Sequence, residues 1–230
     1  MTAINSKIKS LDKLNSIISK TRFCKDTLKR SYKVICACDV SYYKIKKDEY
    51  AIAVATCYDL KSKKIVENEF LVSKRPLEYI PGYFFIRELP PLVSVLMKIR
   101  SKVDAILVDG HGLLHPMRSG LATYTGVFFD KPTIGLAKSL YVGKVLDEHS
   151  SVSPVVYENK VLGYMLVFPK FRKRYYLSVG YKIDLETAVK LTQNLFSQGM
   201  DLMQHAHLLS KKLISKSSTL SGNRYVVPLI

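Results

Sequence analysis

Val103-Asp-Ala-Ile-Leu-Val-Asp109-Gly-His-Gly-Leu-Leu-His115-Pro-Met-Arg-Ser-Gly120-Leu-Ala-Thr-Tyr-Thr-Gly126 decides the fold of this chain. It opens on a continuous apolar run, Ala105 to Val108, the pattern of a strand buried on both faces. The run stops at Asp109, and Gly110, Gly112, Gly120 and Gly126 follow. A carboxylate at the end of a buried strand is held by a rigid element yet reaches an open edge. Glycine lacks the Cβ that keeps a ligand off the backbone, so N–H groups in this loop can approach one closely. Taken alone, Asp-Gly more often reads as a helix cap beside a tight turn. Acids elsewhere in the chain decide between the two.

Upstream, Tyr32 to Tyr43 is a buried strand interrupted by Asp39, and Tyr50 to Tyr58 and Lys64 to Val72 are two more. Their short links make an antiparallel meander. A helix is predicted to start near Pro81 or Gly82, carrying Glu88, and Pro90-Pro91 should break or kink it, since proline removes a donor and clashes with the preceding turn. A helical stripe follows at Leu92, Val95, Leu96 and Ile99.

After the glycine loop come a short helix, Leu121 to Phe128, and a second buried strand, Pro132 to Ala137, ending at Lys138. Helices between the strands near 105 and 134 make those strands parallel. The expected fold is α/β: a mixed sheet, with an antiparallel three-strand meander followed by parallel strands, flanked by helices. Tyr141 to Ser153 reads as a polar excursion, and residues 154–180 as a second meander broken by the basic run Lys170 to Arg174. Asp184 caps a helix reaching Phe196, and a last helix covers Asp201 to Ile214.

The chain of 230 residues suits a single domain. Residues 1–31 form a basic N-terminal helix in this reading, and 215–230 a polar linker with an apolar tail. Lys and Arg number 36 against 19 Asp and Glu, a net charge of +17, which implies an anionic partner, by default nucleic acid. No apolar run reaches the ~20 residues of a membrane span, and no secretory or lipidation signal is present. Cys36 and Cys38 share a strand face as small core residues, and zinc would need a second pair at ligand spacing. A soluble, reducing, cytoplasmic monomer is expected. Gly135-Leu-Ala-Lys138-Ser lacks the glycine spacing of a phosphate-binding Walker loop.

Asp39, Glu88 and Asp109 are the acids placed where buried elements meet one edge. Strand one and the Val103–Asp109 strand should be neighbours, and three carboxylates meeting there make a hard-oxygen site for Mg²⁺, with Mn²⁺ as substitute. Two such ions ~3.5–4 Å apart could activate water and stabilise the leaving oxygen of a phosphodiester. Gathering like charges without a cation would be costly.

These residues carry a resemblance. Cys38-Asp-Val-Ser-Tyr42, Tyr79-Ile-Pro-Gly-Tyr-Phe-Phe-Ile-Arg-Glu88, Asp109 to Val127, and Pro132 to Leu140 resemble endonuclease V, the deoxyinosine 3′ endonuclease family of the ribonuclease H-like superfamily. The likeness extends more loosely to Tyr176–Ala188 and to His205-Ala-His207. It implies a metal-dependent endonuclease that finds deoxyinosine in DNA and nicks the second phosphodiester 3′ to it, leaving 3′-hydroxyl and 5′-phosphate ends.

It further implies Asp39, Glu88 and Asp109 as metal ligands, His207 as a fourth active-site residue and Lys138 near the scissile phosphate. His115 matches the loop histidine, Tyr79-Ile80-Pro81-Gly82 the wedge entering the duplex, and Gly82, Phe84, Gly110, Gly112 and Gly120 a base pocket built largely of backbone. An apolar wedge can unstack a base step, and extrusion is easiest at a mispaired base.

His205 and His207 point to different faces of a helix. Tyr181 departs from the family: it stands after Ser-Val-Gly where many members have Pro-Gly-His. Basic runs at Lys44 to Lys47, Lys61 to Lys64 and Lys170 to Arg174 are expected to hold the nucleic-acid backbone. Two alternatives stay open: inosine-containing RNA as substrate, and a non-catalytic basic nucleic-acid-binding protein.

Overall fold

The structure, a computed structural model, describes residues 31–74 and 84–217. The expectations for residues 1–30, for the wedge Tyr79 to Gly82, and for the tail beyond 217 lie outside the described residues.

Three strands open the described chain: β1 (Val34–Ile45), β2 (Asp48–Asp59) and β3 (Lys64–Lys74). They pair antiparallel in sequence order, as their short hairpin links require. Helix α1 (Phe84–Leu96) leads to β4 (Ala105–Val108), then α2 (Leu121–Phe129) and β5 (Thr133–Ala137). The strands β1, β4 and β5 lie side by side and parallel. The two-residue β6 (Lys144–Val145) falls inside the expected polar excursion. It is followed by β7 (Val152–Tyr157), β8 (Lys160–Phe168) and β9 (Lys173–Tyr181). The nine-stranded order is β3-β2-β1-β4-β5-β9-β8-β7-β6, the mixed sheet expected from the sequence. Helices α3 (Leu185–Ser197) and α4 (Leu202–Ser217) close the described chain.

Side chains alternate across the sheet, so β1 feeds two cores. Ile35 and Ala37 pack with Leu195, Leu202 and Ala206 of α3 and α4. Cys36 and Cys38 face the other way, onto Phe85, Leu92 and Val95 of α1 and Leu121 of α2. Cys36 is register partner to Cys57 of β2, and the two are bonded as a disulfide, leaving Cys38 free and buried.

Asp184 caps α3 by accepting the Thr187 N–H at 2.8 Å. The Pro90-Pro91 pair, by contrast, does not end α1. Pro91 has no N–H for the Arg87 carbonyl one turn back, and the Tyr42 hydroxyl donates to that oxygen instead, at 3.5 Å. No described helix is long and apolar enough to cross a membrane.

Candidate active site

Strand register brings the first two acids together. Val108 is the partner of Cys38, and the Asp109 N–H reaches the Cys38 carbonyl at 3.4 Å. Asp39 and Asp109 therefore stand side by side where the β1–β4 pairing ends, Asp109 just past the carboxyl end of β4 and Asp39 midway along the longer β1, on the edge where open α/β sheets bind ligands. Beside them, β5 ends at Ala137, and Lys138 reaches back so that its ammonium donates to Asp109 Oδ2 at 2.5 Å. Glu88 comes from α1, on the opposite face. All four line one cavity of about 490 Å³, with Gly110, His115, Gly120 and Tyr141.

Asp39 is 4% exposed, and three side chains converge on its Oδ2: Ser210 at 3.0 Å, His207 Nδ1 at 3.2 Å and Ser41 at 3.3 Å. The Ser41 and Ser210 hydroxyls are also 2.8 Å apart. Ser210 Oγ also stands 2.8 Å from the His207 carbonyl oxygen, so its single proton is shared between that carbonyl and the carboxylate, while Ser41 donates to Asp39 or to Ser210. His207 is thus the histidine that meets the acids, and the α4 face carrying it also carries Ser210. Ser41 was legible as a same-face neighbour of Asp39 two residues on. Ser210 was legible as the residue three beyond His207 on a helix.

Crowding shows in the proton affinities. Burial pushes the Glu88 carboxyl well above the usual range, and the charges of Asp109 and Asp39 push it further against the opposing pull of Arg87 and Lys138. Asp109 is raised by burial too, although Lys138 works the other way. Burial alone would lower the Lys138 ammonium; Asp109 and Asp39 outweigh it and hold it above its ordinary value. His111 and His115 are pulled down to about 4 by burial, His111 also by its neighbour, so both rings are neutral at pH 7. Carboxyls raised by burial and by a neighbouring acid's charge, as those of Glu88 and Asp109 are, are donors a hard divalent cation would relieve. Among the described residues, though, no three acid, histidine or cysteine side chains form a tight ready-made cage.

The glycine loop divides into two parts. Gly110 has φ +156°, a backbone few side chains adopt, and it lines the cavity with Gly120. Gly112, expected in the base pocket, is not on the cavity wall. Its N–H donates to Ser178 Oγ at 2.9 Å, and a Cβ there would stand 2.1 Å from the Val179 carbonyl oxygen. Gly112 is glycine because β9 packs against it. Phe84 opens α1.

Two features had little sequence signal. Arg87 lies 4.0 Å from the Tyr42 ring centre and pairs with Glu49 at 2.9 Å, tying the Glu88 turn to the β1–β2 hairpin. Tyr181 donates to Asp130 Oδ1 at 2.9 Å, joining β9 to the end of α2, remote from the acids.

Topology also sorts the basic runs. The hairpin holding Lys44 to Lys47 follows the end of β1. Because Tyr176 of β9 pairs with Ala137 of β5, Lys170 to Arg174 lie at that same edge. Lys61 to Lys64 form the β2–β3 turn, at the opposite end of the β1–β2 pair from Lys44 to Lys47.

The Endonuclease V family profile matches residues 15–202. The Endonuclease V of Sulfolobus acidocaldarius is 36% identical over 209 residues, covering 91% of this chain and 97% of its own length. That of Thermofilum pendens is 36% identical over 186 residues, covering 80% and 78%. In fold, the chain is similar to the crystal structure of the Bacillus subtilis Endonuclease V, with a TM-score of 0.84 at 23% identity over 92% of this chain and 94% of that one. With sequence likeness along most of its length and the fold of a solved Endonuclease V, this chain belongs to the Endonuclease V family of nucleases that cut phosphodiester bonds.

Proposed function

We propose that this endonuclease serves DNA repair by recognising deoxyinosine, the product of adenine deamination, and nicking the second phosphodiester bond on its 3′ side. The carrying observation is the single cavity in which Asp39, Glu88, Asp109 and Lys138 share a wall with Gly110, Gly120 and His115. Acids and a lysine suited to a phosphodiester thus adjoin a backbone-lined recess suited to an extruded base. A tight recess of that kind admits hypoxanthine, while the added exocyclic amine of guanine would clash or lose its partners. A structural neighbour from Ciona intestinalis, with a TM-score of 0.80 at 23% identity over 92% of this chain and 99% of that one, was solved with a 24mer DNA containing an inosine followed by a ribo-adenosine.

Asp39, Glu88 and Asp109 would hold Mg²⁺, or Mn²⁺ in its place. A bound divalent ion supplies positive charge for the phosphoryl oxygens and lowers the pKa of water. The chain's own groups supply the rest. Lys138, fixed by Asp109, presents its ammonium to a non-bridging phosphate oxygen. His207 and Ser210 hold the Asp39 carboxylate in one orientation. Tyr79-Ile80-Pro81-Gly82 serve as the wedge, with Phe84 and the loop backbone completing the recess. The basic runs at Lys44 to Lys47 and Lys170 to Arg174 hold the flanking phosphates.

The test is a nicking assay on matched inosine-containing DNA and RNA duplexes with Mg²⁺, with Asp109→Ala in parallel and the product ends mapped. Cleavage of the inosine DNA strand at the second 3′ bond, lost in the variant, is expected. Binding without any cutting by the wild type would refute it, and a strong preference for the RNA arm would reassign the substrate.

A further inference from the structure

Among the described residues, four side-chain rings line the cavity beside the acids: Phe85, His111, His115 and Tyr141. They are not equivalent. The Phe85 ring is 6% exposed and stacks on Tyr124 with centroids 3.8 Å apart and planes within 7°. Both histidines are set into the wall. Tyr141, in the loop after β5 and three residues beyond Lys138, keeps 53% of its surface open. One part of its ring is propped from within, by His111 at 6.2 Å with planes 29° apart and by His115 at 5.4 Å edge-on. A large aromatic backed by two rings and open outward, at the mouth of a cavity, is a flat surface held ready for another flat group.

We infer that Tyr141 is the stacking face for the extruded base, a binding residue that holds the flipped nucleotide while its downstream phosphate reaches the carboxylates. The inference rests on the inosine-directed reading above and deepens it by naming the residue that retains the base. Every base has a π face, and base–aromatic stacking is tolerant of base identity. Tyr141 therefore contributes retention, and the backbone recess contributes discrimination. Its phenol ring fixes only two torsions on binding, so little freedom is lost.

The sequence contains no tryptophan, which makes Tyr141→Trp a single-site reporter. Its emission should be quenched by an inosine-containing duplex and much less by the same duplex with a normal A·T pair. Equal quenching by both, or none with either while both bind, overturns the inference. In single-turnover nicking with enzyme in excess, Tyr141→Leu should raise the half-saturating enzyme concentration about ten-fold, with the limiting rate within about two-fold. Tyr141→Phe should behave as wild type. If Tyr141→Leu leaves half-saturation unchanged in an enzyme that nicks inosine strands, this inference falls alone. A wild type that leaves such strands intact would overturn the parent reading and this one with it.

Discussion

Replacing Glu88 by Gln should abolish nicking and yet make the metal-free protein relatively more stable as the pH rises. Glu88 is 6% exposed, and burial together with Asp109 and Asp39 raises its carboxyl well above the ordinary range. A carboxyl with a raised folded-state pKa binds more protons folded than unfolded. Stability therefore declines as pH climbs from the unfolded pKa to the folded one, and the full penalty is present above that window. Each unit of difference is worth about 1.4 kcal/mol. At about 2–4 °C per kcal/mol for a domain of this size, that is roughly 3–5 °C in Tm. The glutamine amide has its own cost if it lacks partners, about 1–3 kcal/mol, but that cost does not vary with pH. The decisive quantity is thus the change in the Tm gap between variant and wild type from pH 5 to pH 8, measured in chelator by calorimetry. A gap that moves toward the variant by several degrees is expected, and Mg²⁺ should close it by stabilising only the wild type. A gap that stays constant with pH would refute the claim that Glu88 is a crowded, destabilising acid.

Other consequences follow from the same geometry. Ser210→Ala removes a fully buried donor from the Asp39 carboxylate. It should lower stability by about 1.5–3 kcal/mol in denaturant titration and slow nicking at limiting Mg²⁺ more than at saturation. Lys138→Met strips Asp109 of the cation 2.5 Å away. It should cut the limiting rate by about 10²-fold or more and move the acid limb of the pH–rate profile upward, since Lys138 now pulls that carboxyl down. In the wild type at limiting Mg²⁺, protons should compete with the ion for Glu88 and Asp109, whose carboxyls are raised in the metal-free site, so that limb should move to lower pH as Mg²⁺ is added. Neutralising Lys170, Arg172, Lys173 and Arg174 should weaken duplex binding and flatten its salt dependence. Neutralising Lys61, Lys63 and Lys64, at the far edge, should change neither.

What the sequence made legible was whatever depends on periodicity and register. The apolar run at Ala105–Val108 and the buried strand around Asp39 sufficed to place two parallel neighbours with Asp39 and Asp109 at one edge, and the β1–β4 register does so. Family likeness singled out His207 over His205, and it is His207 that meets Asp39. What stayed hidden depends on three-dimensional neighbours. Gly112 was assigned to the ligand because loop glycines that admit a ligand and those that admit another strand look alike in sequence. Only the approach of Val179 separates them. A run of lysines has no side until the hairpin bearing it is placed, and only the strand register puts Lys61 to Lys64 at the far edge from Lys44 to Lys47. Tyr141 stands in a polar stretch without periodicity, and nothing but the cavity marks it. Pro90 and Pro91 signalled a break or kink in α1, and its continuation past them was hidden because the Tyr42 hydroxyl that serves the freed carbonyl is far away in sequence.

The position of the acids between two cores explains why so many groups serve them. Asp39 belongs to the sheet face covered by α3 and α4, and two of its three polar partners, His207 and Ser210, come from α4. Glu88 belongs to the opposite face and arrives on α1, whose apolar residues Phe85, Leu92 and Val95 dock it. Charge repulsion at the sheet edge opposes that docking, because seating α1 drives the Glu88 carboxyl toward Asp39 and Asp109. Apolar burial favours it, at about 25 cal/mol for each Å² removed from water. The Arg87 guanidinium against Tyr42 and Glu49 adds a tether on the very turn that carries Glu88. Helix α1 is therefore held by its apolar face and by Arg87 so that one of its residues can be kept where, without a cation, it is least at ease. A site arranged this way is strained when empty of positive charge and relaxed when supplied with it. The same crowded carboxylates that weaken the apo fold would favour binding of a divalent ion, and that ion in turn would draw a phosphate-bearing strand to acids that by themselves repel it.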